Sequence, residues 1–300
     1  VQCQAVAIAF YPHDAGFNRE NALYLAHAAD IAYHRSPGRA AMERLGLRAF
    51  AFRSKLTRTR GFVGVCDTHA VLSFRGSDPV TLQTWITDAV VRLVEREHYA
   101  GRVHLGFSSA LKRTWARVEA TLELAGDRPL FLTGHSMGGA LAVLTACRLA
   151  KLGRPAVATY TFGAPRVGDA SFCDGYALPT YRVVNRLDLV PEMPLASVRR
   201  LLPARLRPTS RAAVEWLTNI AGRVPCYGHV KTLVYIDLDG TITVDAEVAP
   251  WHELAVRRAV ATRGGSFHEG VTDHLISSYI RGLEGRSRRR AGVRRKARAG

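Results

Sequence analysis

The chain has 300 residues, 47% of them hydrophobic, and a formal charge of +17. That length supports one large or two small packed domains, and no apolar run approaches the roughly 18 to 20 residues that a membrane-spanning helix needs. Five cysteines (Cys3, Cys66, Cys147, Cys173, Cys226) are an odd number without metal-ligand spacing, so free buried thiols are expected, Cys147 in the core, with no disulfide framework and no metal site.

Much of the charge is local. Arg281 to Gly300 holds nine basic residues and one Glu, a net +8. A second run, Arg199, Arg200, Arg205, Arg207 and Arg211, adds five positive charges. The tail lacks aromatic residues for base stacking, so no nucleic-acid partner is expected. Attraction to anionic lipid stays open. The first six residues show no basic segment leading into an apolar one, so no leader is visible, and the absent initiator Met leaves its earlier removal open.

In chain order, Asn18 to Tyr33 reads as a helix capped by Asn18. Gly61–Val65 and Ala70–Phe74 read as strands joined through Asp67-Thr68-His69. Helices are expected over Pro79 to Glu95 and Ser108 to Leu124. Pro129–Thr133 is a short buried strand, followed by a helix from Gly138. Val157–Phe162 and Tyr181–Asn185 are further strands. Thr232–Asp237 and Thr241–Val244 flank an Asp239-Gly240 turn as a hairpin. Trp251 to Val260 and Ile276 to Leu283 are helical, and the chain beyond about Glu284 is expected to be disordered. This alternation indicates an α/β protein with a central sheet.

Gly134-His135-Ser136-Met137-Gly138 reads G-x-S-x-G between a buried strand and a helix with small residues at its start. That context suits a sharp turn that exposes a serine hydroxyl at the sheet edge. Ser136 is therefore a candidate nucleophile, and its partners are sought downstream as an acid followed by a histidine. Asp188 follows the strand ending at Asn185, although a plain turn aspartate reads as well there. His274 and His229 compete as the base, and the residues alone barely separate them. For the oxyanion, the N–H of Met137 is expected to act with that of Ser77, in a glycine turn after the strand ending at Phe74, although a plain strand-terminating turn reads as well there.

These residues together resemble the class 3, fungal-type lipases. The likeness rests on Val71–Ser77, Gly134–Leu141, Thr161–Gly168 and Arg182–Pro191, with Val103–Phe107 as a fifth segment. The resemblance implies an α/β-hydrolase fold, a mostly parallel sheet flanked by helices with a helical lid, over residues 1–284. It implies Ser136, Asp188 and His274 as the triad, Ser77 and Met137 as the oxyanion pair, and no cofactor. The family's last histidine precedes a terminal helix, which matches Asp273-His274-Leu275 and favours His274 over His229. The lid would fall at about 78–95, where Leu82, Trp85, Ile86 and Val90 recur on one helical face and are acyl-binding candidates. A stretch at about 195–226 is longer than in many members and mixes arginines with apolar residues. The expected function is hydrolysis of lipid carboxylic esters at a lipid interface. A phospholipase or short-chain esterase on the same triad is the alternative, and a non-catalytic membrane- or nucleic-acid-binding protein is the reading from another class.

Overall fold

The computed structural model describes residues 8–77, 92–193, 227–230, 232–244 and 265–285, of which 265–269 by backbone alone. The lid candidates Leu82, Trp85, Ile86 and Val90, the 195–226 stretch, the expected helix over Trp251 to Val260 and the tail beyond 285 lie outside the described residues.

Helices α1 (Arg19–Ile31) and α2 (Pro37–Leu45) precede strands β1 (Arg48–Arg53), β2 (Arg60–Val65) and β3 (Ala70–Phe74). After β4 (Leu93–Glu95) and β5 (Arg102–His104) come α3 (Leu105–Leu122), β6 (Leu130–His135), α4 (Met137–Lys151), β7 (Ala158–Phe162), α5 (Ala170–Asp174) and β8 (Thr180–Asn185). Then β9 (Leu233–Ile236), β10 (Ile242–Val244), α6 (Gly265–His274) and α7 (Ile276–Leu283) complete the described chain. The main sheet runs β1-β2-β3-β6-β7-β8-β9-β10. Pairing is parallel from β3 to β9 and antiparallel at both edges. This is the α/β protein with a central sheet that the alternation predicts, mostly parallel and flanked by helices as the resemblance implies.

The two-residue period of the strands sorts the core into two layers. Val63, Leu72 and Leu132 face one side and pack with Leu111 and Trp115 of α3 and Leu141 and Leu144 of α4. Their neighbours Phe62, Val71 and Phe131 face the other side, with Leu25 and Ile31 of α1 and Tyr279 of α7. All five residues of β3 and of β7 are buried, because helices cover both faces there. Asn18 caps α1, its side chain accepting the Asn21 N–H at 3.0 Å. Ala22, Ala26 and Ala29 are fully buried on α1 and let the helix lie close to the sheet.

Three expectations change. The helix expected through Glu95 gives way at its end to β4, because Leu93–Glu95 pairs antiparallel with Arg102–His104. The helix expected from Ser108 starts three residues earlier at Leu105, because His104 Nδ1 accepts the Gly106 N–H at 3.0 Å and the Phe107 N–H at 3.3 Å. Cys147 is a free thiol, half-buried at the flank of the core layer and not enclosed within it.

His69, His104 and His135 are each about 5% exposed. Burial pushes His69 and His104 down to about 4, and His135 well below the ordinary histidine value. These rings stay neutral in the folded chain at a pH where the unfolded chain protonates them, near 6.5. Stability is therefore expected to be full above about pH 6.5 and to fall as pH drops from there toward 4. Chemical denaturation between pH 7 and 5 reads this slope. His69→Gln should remove one proton from it, and an unchanged slope would refute the assignment. In the other core layer Phe131 is 0% exposed, its ring centroid 4.9 Å from that of Phe10. Phe131→Ala should cost about 3–5 kcal/mol in the same measurement.

Candidate active site

The G-x-S-x-G segment occupies the end of β6 and the start of α4. Its glycines answer to contact distances. A Cβ on Gly134 would lie 2.3 Å from the Gly138 carbonyl carbon, and one on Gly138 would lie 2.2 Å from the Phe74 carbonyl oxygen. Strand, helix and the end of β3 thus meet backbone to backbone. Ser136 stands in the turn at φ 57° and ψ −131°, a conformation rare outside glycine. Its N–H donates to the Phe162 carbonyl at 2.9 Å, and its own carbonyl accepts the Gly139 N–H at 2.9 Å.

Asp188 lies in the turn after β8 and is 0% exposed. Its carboxylate accepts the Val190 N–H at 2.9 Å and the Tyr279 hydroxyl. It also takes the His274 ring at Nδ1, at 2.8 Å from Oδ2 and 3.0 Å from Oδ1. A carboxylate can only accept here, so a neutral His274 carries its proton on Nδ1 and keeps a lone pair on Nε2. Among the described residues neither that Nε2 nor Ser136 Oγ finds a hydrogen-bond partner, although both are buried. Buried polar atoms are usually satisfied, so two open ones near an elbow mark a place where a reacting group fits. Gly163, at φ 58°, closes the other side: a Cβ there would sit 2.6 Å from Asp188 Oδ2 and 2.9 Å from His274 Nδ1.

The backbone around His274 is held at several points. The Asn185 side-chain amide donates to the Asp273 carbonyl at 3.0 Å, and the Leu187 N–H donates to the Asp273 carboxylate at 3.3 Å. The His274 carbonyl accepts from His135 Nε2 at 2.5 Å. That bond fixes the His135 tautomer, because a carbonyl has no proton to give. Nε2 carries the hydrogen, and Nδ1 accepts the Tyr33 hydroxyl at 2.7 Å. Desolvation and the neighbouring His274 keep the His135 ring neutral. Tyr33, His135 and Tyr279 escaped the sequence reading. His135 adjoins the serine in the motif, but its partners are 102 and 139 positions away.

Ser77 and Met137 are both half-buried, and the Ser77 hydroxyl contacts the Met137 sulfur at 3.5 Å. The approach is tight at Gly76, where a Cβ would lie 2.2 Å from the Tyr33 hydroxyl and 3.1 Å from Ser136 Cβ. The structure therefore brings Ser136, Asp188, His274, Ser77 and Met137 to one end of the sheet. His229 belongs to a different segment, beside Gly228, whose N–H donates to the Gly168 carbonyl at 2.9 Å. Among the described residues no group of three His, Cys, Asp or Glu is placed to hold a metal ion. No described helix is long and apolar enough to cross a membrane.

Residues 71–198 match the family described as Lipase (class 3). A secreted mono- and diacylglycerol lipase of Fusarium solani is 37% identical over 132 residues, 41% of this chain and 39% of that protein. A lipase of Caenorhabditis elegans is 31% identical over 207 residues, 62% of this chain and 58% of that protein. The chain thus spans under two thirds of the length of these relatives. In fold it is similar to the crystal structure of a mono- and diacylglycerol lipase from Aspergillus oryzae, with a TM-score of 0.60 and 23% identity, covering 76% of this chain and 86% of that one. Its sheet has the α/β-hydrolase fold, and residues 71–198, which carry the four ordered motifs, match the class 3 lipase family.

Proposed function

We propose that this chain hydrolyses carboxylic esters of lipids through an acyl-enzyme on Ser136. The observation that carries the reading is the Asp188–His274 pair, whose outer nitrogen Nε2 bonds to no described residue, at the same end of the sheet as a serine hydroxyl that is equally open. His274 Nε2 takes the proton as Ser136 Oγ attacks the ester carbonyl, while Asp188 stabilises the imidazolium that forms. The oxyanion lies against the N–H groups of Ser77 and Met137, the second at the N-terminus of α4, where the helix favours negative charge. His274 then gives its proton to the leaving alcohol, and water repeats the sequence on the acyl-enzyme. This chemistry calls for no cofactor. The names of the relatives support acylglycerols as the substrate class. The apolar positions Leu82, Trp85, Ile86 and Val90 are proposed to serve the acyl side.

Ser136→Ala should abolish labelling by a fluorophosphonate probe and lower kcat by on the order of 10⁶. Asp188→Asn, which leaves the shape intact but favours the wrong tautomer, should lower kcat by about 10⁴. A folded wild type that takes no label would sink the proposal in favour of a non-catalytic binder. Turnover that survives in His274→Ala but vanishes in His229→Ala would move the base to His229. Rates across acyl lengths, on acylglycerols and on phospholipids, separate lipase from phospholipase and short-chain esterase.

The Tyr33–His135 pair is proposed to position His274 through its carbonyl. Tyr33→Phe removes one hydrogen bond, worth about 1 kcal/mol, and should lower kcat on a soluble ester about fivefold with KM unchanged. His135→Leu should lower kcat further, and His135→Gln, which keeps a donor, should restore part of it. Equal losses in the Leu and Gln variants would refute the positioning role.

A further inference from the structure

The hairpin formed by β1, its turn and the start of β2, Arg48 to Arg60, holds five basic residues and no acidic one. Register fixes where that turn stands. Arg53 pairs with Arg60, Gly61 with Phe74, and Phe74 with Gly134. The turn therefore leaves the sheet at the same end as Ser136. Strand β2 is two strand spacings from β6, a lateral distance of about 10 Å.

The turn is cross-linked by hydrogen bonds. The Ser54 N–H donates to the Thr59 carbonyl at 2.9 Å, and the Thr57 and Thr59 hydroxyls meet at 2.9 Å. Thr57 reaches the Thr114 hydroxyl of α3 at 3.4 Å. Ser54 and Thr59 are each 1% exposed. With its polar side chains turned inward, the turn presents a leucine outward: Leu56 is 80% exposed, the most of any large apolar side chain among the described residues. Arg53, Lys55 and Arg58 around it are exposed and form no ion pair with a described residue. The helix to which the turn is tied adds exposed Lys112, Arg113 and Arg117, against one exposed acid, Glu119. A single exposed leucine needs no explanation by itself. A leucine at the tip of a fixed cationic turn, at the reactive end of the sheet, matches the chemistry of an anionic lipid surface, whose headgroups attract the cations and whose acyl boundary accepts the side chain.

We propose that the β1–β2 turn docks the chain on an anionic lipid surface, with Leu56 entering the headgroup boundary and Arg53, Lys55 and Arg58 lying on anionic headgroups. Docking there faces the Ser136 end of the sheet toward the lipid. Its purpose rests on the reading of Ser136 as a lipid ester hydrolase, whereas the docking step is independent of catalysis.

Co-sedimentation of the full chain with phosphatidylcholine vesicles, with and without phosphatidylglycerol, tests this at several salt concentrations. Wild type should prefer the phosphatidylglycerol vesicles. The Lys55→Glu/Arg58→Glu double variant should weaken that binding about tenfold or more and flatten its salt dependence. Leu56→Ser should weaken binding a few-fold with the salt dependence kept. Both variants should turn over a soluble short-chain ester at the wild-type rate, which also reports that they fold. Vesicle binding unchanged in both variants would overturn the proposal and assign the attraction to basic residues elsewhere. Duplex DNA binding that the double variant abolishes, with vesicle binding indifferent to it, would make the turn a nucleic-acid contact and overturn it too. A wild type that docks through this turn yet hydrolyses no ester would uphold docking and remove the catalytic reading.

Discussion

The site depends on how closely three backbones meet beneath Ser136. A serine at φ 57° is a strained residue, at a cost on the order of 1–3 kcal/mol that only a rigid surrounding can sustain. Gly134 and Gly138 make that surrounding possible by removing the Cβ atoms that would hold β6, α4 and the end of β3 apart. The strain is then carried by a sheet whose central strands are buried on both faces. Loosening either glycine contact would shift the serine, the Met137 N–H and the Gly76–Ser77 turn together, since all three share the same packing.

The other half of the site is assembled from distant parts of the chain. Asp188 is a fully buried carboxylate, and an unpaired one would be very costly. Three donors meet it: the Val190 N–H, the Tyr279 hydroxyl and the His274 ring. Farther along the same turn, Arg166 forms an ion pair with Glu192 at 2.5 Å and its N–H donates to the Met193 carbonyl at 2.7 Å. These bonds secure the chain on both sides of the acid. His135 holds the His274 carbonyl, Asn185 and Leu187 hold the preceding Asp273 at its carbonyl and its carboxylate, and Asp188 holds the His274 ring at Nδ1.

What could be read from the sequence was local in origin. The strand-to-helix motif at Ser136, the apolar runs of β3, β6, β7 and β8 and the Asp239-Gly240 turn carry their signals within a few residues. The α3 start escaped because its cap is a histidine, His104, outside the usual set of capping residues. The β4 strand escaped because a three-residue pairing with β5 overrides the helical spacing that precedes it. Tyr33 and His135 escaped for a stronger reason. Their roles exist only through contacts across more than a hundred positions, and nothing in the residues beside them announces such a partner. The competition between His229 and His274 had the same origin, because both lie in segments whose place is set by tertiary packing.

The clamp at His274 also has a temporal consequence. Ser136 and Asp188 stand in the turns after β6 and β8, which a growing chain completes by about residue 190, whereas His274 lies at the junction of α6 and α7. That junction is tied back to the beginning of the fold, where the Arg19 guanidinium donates to the Leu283 carbonyl at 2.8 Å and His135 holds the His274 carbonyl. Domains fold as they leave the ribosome, from the N-terminal side. A nascent chain that already holds its sheet therefore lacks the proposed base until α6 and α7 emerge and dock, so the proposed triad closes only after β1 to β10 have all been made.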